Sequence, residues 1–328
     1  MQLVIDSFGT SIHSKLGSFE IVNKDGKKRL APAKLKSIVL NYGTKISSDA
    51  VALAVEHQID ILFVGRTGKP HARVWSPKFG SVSTIRKNQV DFARSVEAID
   101  WIKDNLVKKI EAQGALLHSL VRDRPAKKQM LQNAAENMQA YAIKIAHHTA
   151  QTMQENAGSF RGWEGNASRH YFGALGKIVP DKYKFEKRTK RPAEDMFNCA
   201  LNYVYGMLYG AVESALVRAG VDPYLGILHS DDYNRAVLTY DFIEPYRVWA
   251  EAIVLQLCFR RLLEPEMFDI KDNAYWLASS GRQMVIGSAN DYLNEVVLMN
   301  KKKRSRLTHI LDDARIFASM LLNYKPNE

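Results

Sequence analysis

The hydrophobic period of this chain changes once, at Ser76-Pro77-Lys78-Phe79-Gly80-Ser81, and that change restricts it to two lobes of different class. Before the break, short β-branched runs (LVID, SFEIV, LKSIVL, IDILFV and HARVW) are separated by turn signals such as Phe8-Gly9-Thr10 and Asp25-Gly26. Such runs read as strands, and Asp25-Gly26 fits a hairpin. The stretch from Ser47 to Gln58 differs, because serines able to cap precede Val51, Leu53, Ala54 and Val55, the pattern of one short amphipathic helix. After the break, Val90, Ala93, Val96, Ile99, Ile102, Leu106 and Ile110 recur at threes and fours, a stripe along a helical face. Further helical patterns run from Pro125 past Ala150 and over about 158–175, 193–219, 244–263 and 291–323. The expected fold is α+β: a small N-terminal β domain with one inserted short helix over 1–80, then a larger all-α domain over 81–328.

Charge points to the class of partner. The 328 residues carry a formal charge of +11 at pH 7, and a basic excess favours polyanions, nucleic acid above all, through counterion release. Two runs concentrate it. Residues 177–191 hold seven Lys or Arg against two acids, with Tyr183 and Phe185 interleaved, and 301–306 hold five basic residues and no acid. The plainer reading of each is a solvated loop or helix end. The functional reading is a phosphate-tracking surface carrying Lys182, Lys184, Lys187, Arg188, Lys190 and Arg191, whose two aromatics could stack on unpaired bases. Cys199 and Cys258 form no CxxC pair, which argues against a disulfide framework or a thiolate zinc site and favours a reducing, cytoplasmic setting. The first residues lack a secretory pattern, and no apolar run reaches the roughly 20 residues a membrane helix needs.

Three patches combine reactive side chains with residues that shape a site. In Phe160-Arg161-Gly162-Trp163-Glu164-Gly165-Asn166-Ala167-Ser168-Arg169-His170-Tyr171-Phe172, the glycines beside Glu164 allow a close approach of backbone or ligand. In Gly220-Val221-Asp222-Pro223-Tyr224-Leu225-Gly226-Ile227-Leu228-His229, Gly220 stops a helix, Asp222-Pro223 turns the chain and His229 follows an apolar segment. In Leu238-Thr239-Tyr240-Asp241-Phe242-Ile243-Glu244-Pro245-Tyr246-Arg247, Asp241 and Glu244 share a face if both lie in the first turn of a helix. Each patch has a bland alternative: a surface carboxylate, a hydrogen-bonded structural histidine, and helix capping respectively. As a set, carboxylates plus one imidazole without thiolates make a hard site suited to Mg²⁺ or Mn²⁺. Phosphate-loop, nucleophile-elbow, zincin and dinucleotide fingerprints are absent from the sequence.

The succession Glu164-Gly165-Asn166-Ala167 with Arg169 and Tyr171, then Asn198, Leu201-Asn202-Tyr203 and Tyr205, then Asp222 to Gly226 with His229, and Asp241 with Glu244-Pro245-Tyr246-Arg247 resembles the CRISPR adaptation integrase family, the first-numbered CRISPR-associated protein. The resemblance spans nearly the whole chain. It implies a metal-dependent DNA endonuclease and integrase in which Glu164, His229 and Glu244 bind Mg²⁺ or Mn²⁺ and Asp241 lines the site as a further catalytic residue. It leaves open whether Arg247 touches DNA or pairs with an acid. It also implies a homodimer formed through the β domains, and two such dimers bridged by a dimer of the small second-numbered CRISPR-associated protein in a heterohexamer. The reaction implied is transesterification, inserting DNA fragments into CRISPR repeat DNA. Two other readings stand beside it: a metal nuclease on branched or single-stranded DNA that does not integrate, and a noncatalytic DNA-binding scaffold.

Overall fold

In a computed structural model of the chain, which describes residues 2–35, 37–65, 70–74, 82–229 and 235–325, the β-branched runs of the first lobe pair into two four-stranded sheets. The expected domain boundary at 76–81 lies outside the described residues. The elements are β1 (Gln2–Ile5), β2 (Ser11–Lys15), β3 (Ser18–Asn23), β4 (Gly26–Leu30), β5 (Ser37–Leu40), β6 (Lys45–Ile46), α1 (Ser48–Glu56), β7 (Asp60–Val64) and β8 (Pro70–Val74). One sheet has the order β1-β5-β7-β8, the first three parallel; the other is β4-β3-β2-β6, with β2, β3 and β4 an antiparallel meander. Ile12, Phe19, Ile38 and Ile61 are fully buried between the sheets, with Leu53 and Ala54 of α1 packed on them. Ser47 caps α1, its hydroxyl accepting from the Ala50 amide at 3.3 Å. Asn23 pairs with Gly26, so the β3–β4 hairpin turns on Lys24-Asp25, one position earlier than the dipeptide signal suggested.

The second lobe contains α2 (Val82–Ala93), α3 (Val96–Val121), α4 (Lys128–His147), α5 (Met153–Gly176), α6 (Met196–Arg218), α7 (Val237–Phe242), α8 (Arg247–Phe259), β9 (Phe268–Lys271), β10 (Ala274–Leu277), α9 (Ser279–Asn294), β11 (Val296–Met299), β12 (Lys302–Ser305) and α10 (Arg306–Leu322). Ile99, Ile102, Leu106 and Ile110 of α3 are buried, as their spacing required, whereas Val96, expected on the same stripe, lies in the first turn and is exposed. Ser95 caps α3 and so breaks the long apolar stripe into two helices after Ala93. Helix α6 is buried on nearly every face and forms the centre of the lobe.

The lobe is mainly helical but also carries two hairpins, β9–β10 and β11–β12, where helix or no element was expected. The physical reason is local. Asp272-Asn273 and Asn300-Lys301 occupy the two turn positions with φ of 51°, 59°, 50° and 62°, the left-handed pair of a type I′ turn. Neither turn contains glycine, so the usual sequence signal is missing. Arg73 of β8 joins the lobes, donating to the Glu213 carbonyl at 3.2 Å with its guanidinium 3.6 Å from the Glu213 carboxylate. Among the described residues no helix is long and apolar enough to cross a membrane.

Candidate active site

Helices α3 and α5 and the 3₁₀ turn before α8 bring Lys109, Glu164 and Glu244 to one point. Glu164 comes from mid-α5, where its neighbours Gly162 and Gly165 face open space, so the expected close approach at these glycines is not made by any protein atom. Glu244 does not occupy the first turn of a long helix. It opens a single 3₁₀ turn between α7 and α8, with Pro245 directly after it, and its side chain is only 6% exposed. The Lys109 ammonium bridges both carboxylates, hydrogen-bonded to Glu164 Oε1 and 2.7 Å from Glu244 Oε2. Ser168, one turn along α5, donates to the same Glu164 oxygen at 2.7 Å. Arg247 supplies the other side of Glu244, with Nε 2.9 Å and Nη2 2.8 Å from Oε1, and its guanidinium lies over the Tyr205 and Tyr209 rings. Of the two roles left open for Arg247, pairing with an acid is present in the structure.

The electrostatics follow. Burial alone would raise the Glu244 pKa, but the charges of Arg247 and Lys109 overcome it and hold the carboxyl at about 2. Burial also works against ionisation of Glu164, and the Lys109 charge again wins, so its pKa is lowered. Lys109 is raised: burial opposes its charge, and the two glutamates more than offset that.

His229 is positioned by a different segment. Gly220, at φ +85°, ends α6, and the buried Gln89 side chain clips the next turn by donating to the Asp222 carbonyl at 2.7 Å and accepting from the Asp222 amide at 3.0 Å. Gly226 must be glycine for space: a Cβ there would collide with the His229 carbonyl and lie 2.8 Å from Val237 Cγ2. The segment then wraps onto Asp241, which is fully buried near the end of α7. Asp241 Oδ2 accepts from the amides of Ile227 and Leu228 at 2.8 and 3.1 Å, and Oδ1 accepts from the His229 amide at 3.2 Å and from His229 Nδ1 at 2.6 Å. Asp241 therefore anchors the His229 segment rather than capping α8. With Nδ1 donating to a carboxylate, the lone pair of His229 is on Nε2. Burial raises the Asp241 pKa, and the hydrogen bonds from His229 and the amides hold it back. The His229 ring packs edge-on to Tyr240, Tyr240 edge-on to Tyr209, and Tyr209 lies under Arg247, so a run of rings connects the imidazole to the Glu244 pair.

Thus two of the three expected ligands, Glu164 and Glu244, meet at one cationic centre, and the third, His229, is oriented by the fourth expected residue, Asp241. Among the described residues no three His, Cys, Asp or Glu side chains are gathered tightly enough to form a cation cage. Sequence reasoning missed Lys109. Its signal was a lysine on the inward stripe of α3, between Leu106 and Ile110, and 4% exposed. Gln113, one turn further, is another polar residue on that stripe; it donates to buried Glu251 at 2.8 Å. Glu251 also accepts from the Tyr205 hydroxyl at 2.7 Å, and burial raises its pKa.

The basic run at 177–191 is less open than a solvated loop. Lys182 pairs with Glu264, Lys184 with Asp181 at 2.6 Å, and Lys187 with Glu194 at 3.9 Å. Arg188 turns inward, donating to Asn198 at 2.9 Å and Asn202 at 2.5 Å, with its guanidinium over the Tyr205 ring. Lys190 and Arg191 stay exposed with no ion-pair partner among the described residues. The aromatics correct the stacking expectation. Tyr183 is buried and donates to the Leu263 carbonyl at 2.7 Å, and Phe185 is stacked on Phe197, so neither presents a face to a base. In the second run, Lys302–Ser305 form β12; Arg304 and Arg306 are paired with Asp312 and Glu295, and Lys301, Lys302 and Lys303 are exposed.

Comparison with known proteins agrees with this arrangement of lobes. The family model described as "CRISPR associated protein Cas1" matches residues 3–291. A protein named CRISPR-associated endonuclease Cas1 1, from Archaeoglobus fulgidus, is 27% identical over 334 residues, covering 98% of this chain and 96% of its own. A casposase bound to integration product shares the fold with a TM-score of 0.84 at 20% identity, over 99% of this chain and 92% of that one. A chain of a Cas6-RT-Cas1–Cas2 complex gives a TM-score of 0.81 at 21% identity; it covers all of this chain, which spans 35% of that polypeptide.

Proposed function

The chain belongs to the Cas1 family, and from that premise we propose that it is a divalent-cation-dependent DNA integrase of CRISPR adaptation, acting in the cytoplasm. It joins a DNA fragment to CRISPR repeat DNA by transesterification: the 3′-oxygen of the fragment bonds to a repeat phosphorus, and one P–O bond of the repeat strand breaks. The number of phosphodiester bonds is conserved, so no nucleotide hydrolysis is needed. Water in place of the 3′-hydroxyl gives strand cleavage, the endonuclease activity in the names of its relatives.

The observation that carries this reading is the convergence of Glu164 and Glu244, from separate elements, on one buried cationic centre, with the His229 imidazole separately held by Asp241. The residues fit Mg²⁺ or Mn²⁺. Their donors are hard carboxylate oxygens plus one imidazole nitrogen, without thiolates. Glu164, His229 and Glu244 would hold the ion, which would polarise a phosphoryl oxygen and neutralise developing charge. Asp241 keeps the Nε2 lone pair of His229 available, and Arg247 fixes the rotamer of Glu244. Lys190, Arg191 and the lysines at 301–303 supply exposed positive charge for the remaining phosphates. The partners in this reading are DNA, a second copy of the chain through the β lobes, and the small second-numbered CRISPR-associated protein, in a heterohexamer of two dimers about one partner dimer.

The test is fragment joining to a repeat-containing plasmid, with and without the small partner. Covalent product should require Mn²⁺ or Mg²⁺, vanish with chelator, and be lost in Glu164→Gln and His229→Ala. Full joining in chelator would sink the cation assignment. Cleavage without any fragment–repeat product would select the nuclease reading, and binding weakened by salt but indifferent to chelator and to both variants would select the scaffold.

A further inference from the structure

Lys109 stands where the proposed function needs a divalent cation, and the structure gives it somewhere else to go. We propose that Lys109 is a two-station counter-ion, neutralising Glu164 and Glu244 while no divalent cation is bound and shifting to the Glu251 carboxyl when one enters. The inference rests on the proposed cation site and adds a residue that controls access to it. Lys109 remains an ammonium throughout; only its partner changes.

Three observations support it. First, both oxygens of Glu244 are engaged, Oε1 by Arg247 and Oε2 by Lys109, and Glu164 Oε1 is shared between Lys109 and Ser168. A divalent ion on these oxygens would face the ammonium at close range in a low-dielectric interior, where like charges repel strongly, so one of the two must leave. Arg247 is fixed by Glu244 and two tyrosine rings, whereas Lys109 is shared between Glu164 and Glu244. Lys109 is the cation whose charge also reaches a further carboxyl, Glu251.

Second, Lys109 is buried on the inward stripe of α3, so a displaced ammonium needs an interior acceptor. Third, such an acceptor is present. Glu251 lies two turns beyond Glu244 and is fully buried; Gln113, one turn from Lys109 on α3, touches its Oε1, and its Oε2 has no aligned donor, the buried Tyr171 hydroxyl acting on this carboxyl without good alignment. The Lys109 charge already acts on this carboxyl. A buried carboxylate oxygen held only by a poorly aligned hydroxyl still gains from an arriving ammonium.

Mn²⁺ titration calorimetry on the DNA-free full chain, with thermal melting in chelator and in Mn²⁺, tests the inference. Lys109→Met should bind Mn²⁺ roughly tenfold or more tighter than wild type, because nothing has to be displaced. It should also melt lower in chelator and gain more from Mn²⁺. Lys109→Gln, which removes the charge but keeps a donor for Glu164, should show the same tightening if Lys109→Met does not fold. Glu251→Gln should weaken Mn²⁺ binding several-fold in the wild-type background and leave it unchanged in the Lys109→Met background. Unchanged or weaker binding in both Lys109 variants, or a Glu251→Gln effect of equal size in both backgrounds, overturns the inference. Glu164→Gln separates the two levels of argument: if it binds Mn²⁺ as wild type does, the cation site itself is wrong.

Discussion

Replacing Asp241 with asparagine should change the tautomer of His229 while leaving the fold in place. Asp241 accepts four hydrogen bonds, two on each oxygen, from the amides of Ile227, Leu228 and His229 and from His229 Nδ1. Asparagine offers one acceptor oxygen and one amino group. With its oxygen at the Oδ2 position, the Ile227 and Leu228 amides keep their partner, and only the His229 amide faces a donor, at about 1–3 kcal/mol for one unsatisfied buried N–H. The opposite placement orphans two amides and costs about twice as much, so the first arrangement wins. In it the asparagine amino group donates to Nδ1, and the ring proton moves to Nε2, the nitrogen that would face a metal. Loss of such an orienting partner typically costs 10–100-fold in metal affinity. We therefore expect Asp241→Asn to melt a few degrees lower, to bind Mn²⁺ ten- to a hundredfold more weakly, and to lose strand transfer in proportion. Nitrogen NMR of the imidazole reports the tautomer directly. An Nδ1-protonated ring with Mn²⁺ affinity within twofold of wild type would refute the reasoning.

Two further outcomes follow from buried charge. Arg188→Ala should destabilise the protein by about 1–3 kcal/mol in urea, because Asn198 and Asn202 lose a shared buried donor; a change in DNA affinity alone, with unaltered stability, would restore Arg188 to the surface reading. The Glu244 carboxyl is depressed from its ordinary 4.5 to about 2, so the folded state binds that proton more weakly than the unfolded state does. Its contribution, about 3 kcal/mol, is complete above pH 4.5 and is lost as pH falls towards 2. Glu244→Gln should flatten the acid limb of stability over that window relative to wild type, and parallel limbs would count against the ion-pair account.

What could be read from the sequence was whatever is local. A capping Ser47 before alternating apolar residues gave α1 its start, and the threes and fours of Ile99, Ile102, Leu106 and Ile110 gave α3 its buried face. The β9–β10 and β11–β12 hairpins escaped because their left-handed turn residues are Asp, Asn and Lys, which carry no glycine signal. The partners of Asp241 were hidden for a different reason. At three residues before Glu244 it has the spacing of a capping pair, and only the return of the 220s segment shows that its oxygens serve other amides. Tyr183 and Phe185 misled in the same way, since an aromatic between lysines is indistinguishable from a stacking platform until the core beneath it is known.

Lys109 is the instructive case. A helix stripe read for its apolar members treats a lysine on the same face as an interruption, although a buried ammonium is tolerable only where carboxylates meet it. Its presence between Leu106 and Ile110 therefore implies at least one acidic partner arriving from another element. Glu164 and Glu244 are those partners, and they are the residues singled out on independent motif grounds. A polar residue on a core face, followed to the charges that must neutralise it, reaches the same site as the motif and adds the residue that the motif leaves out.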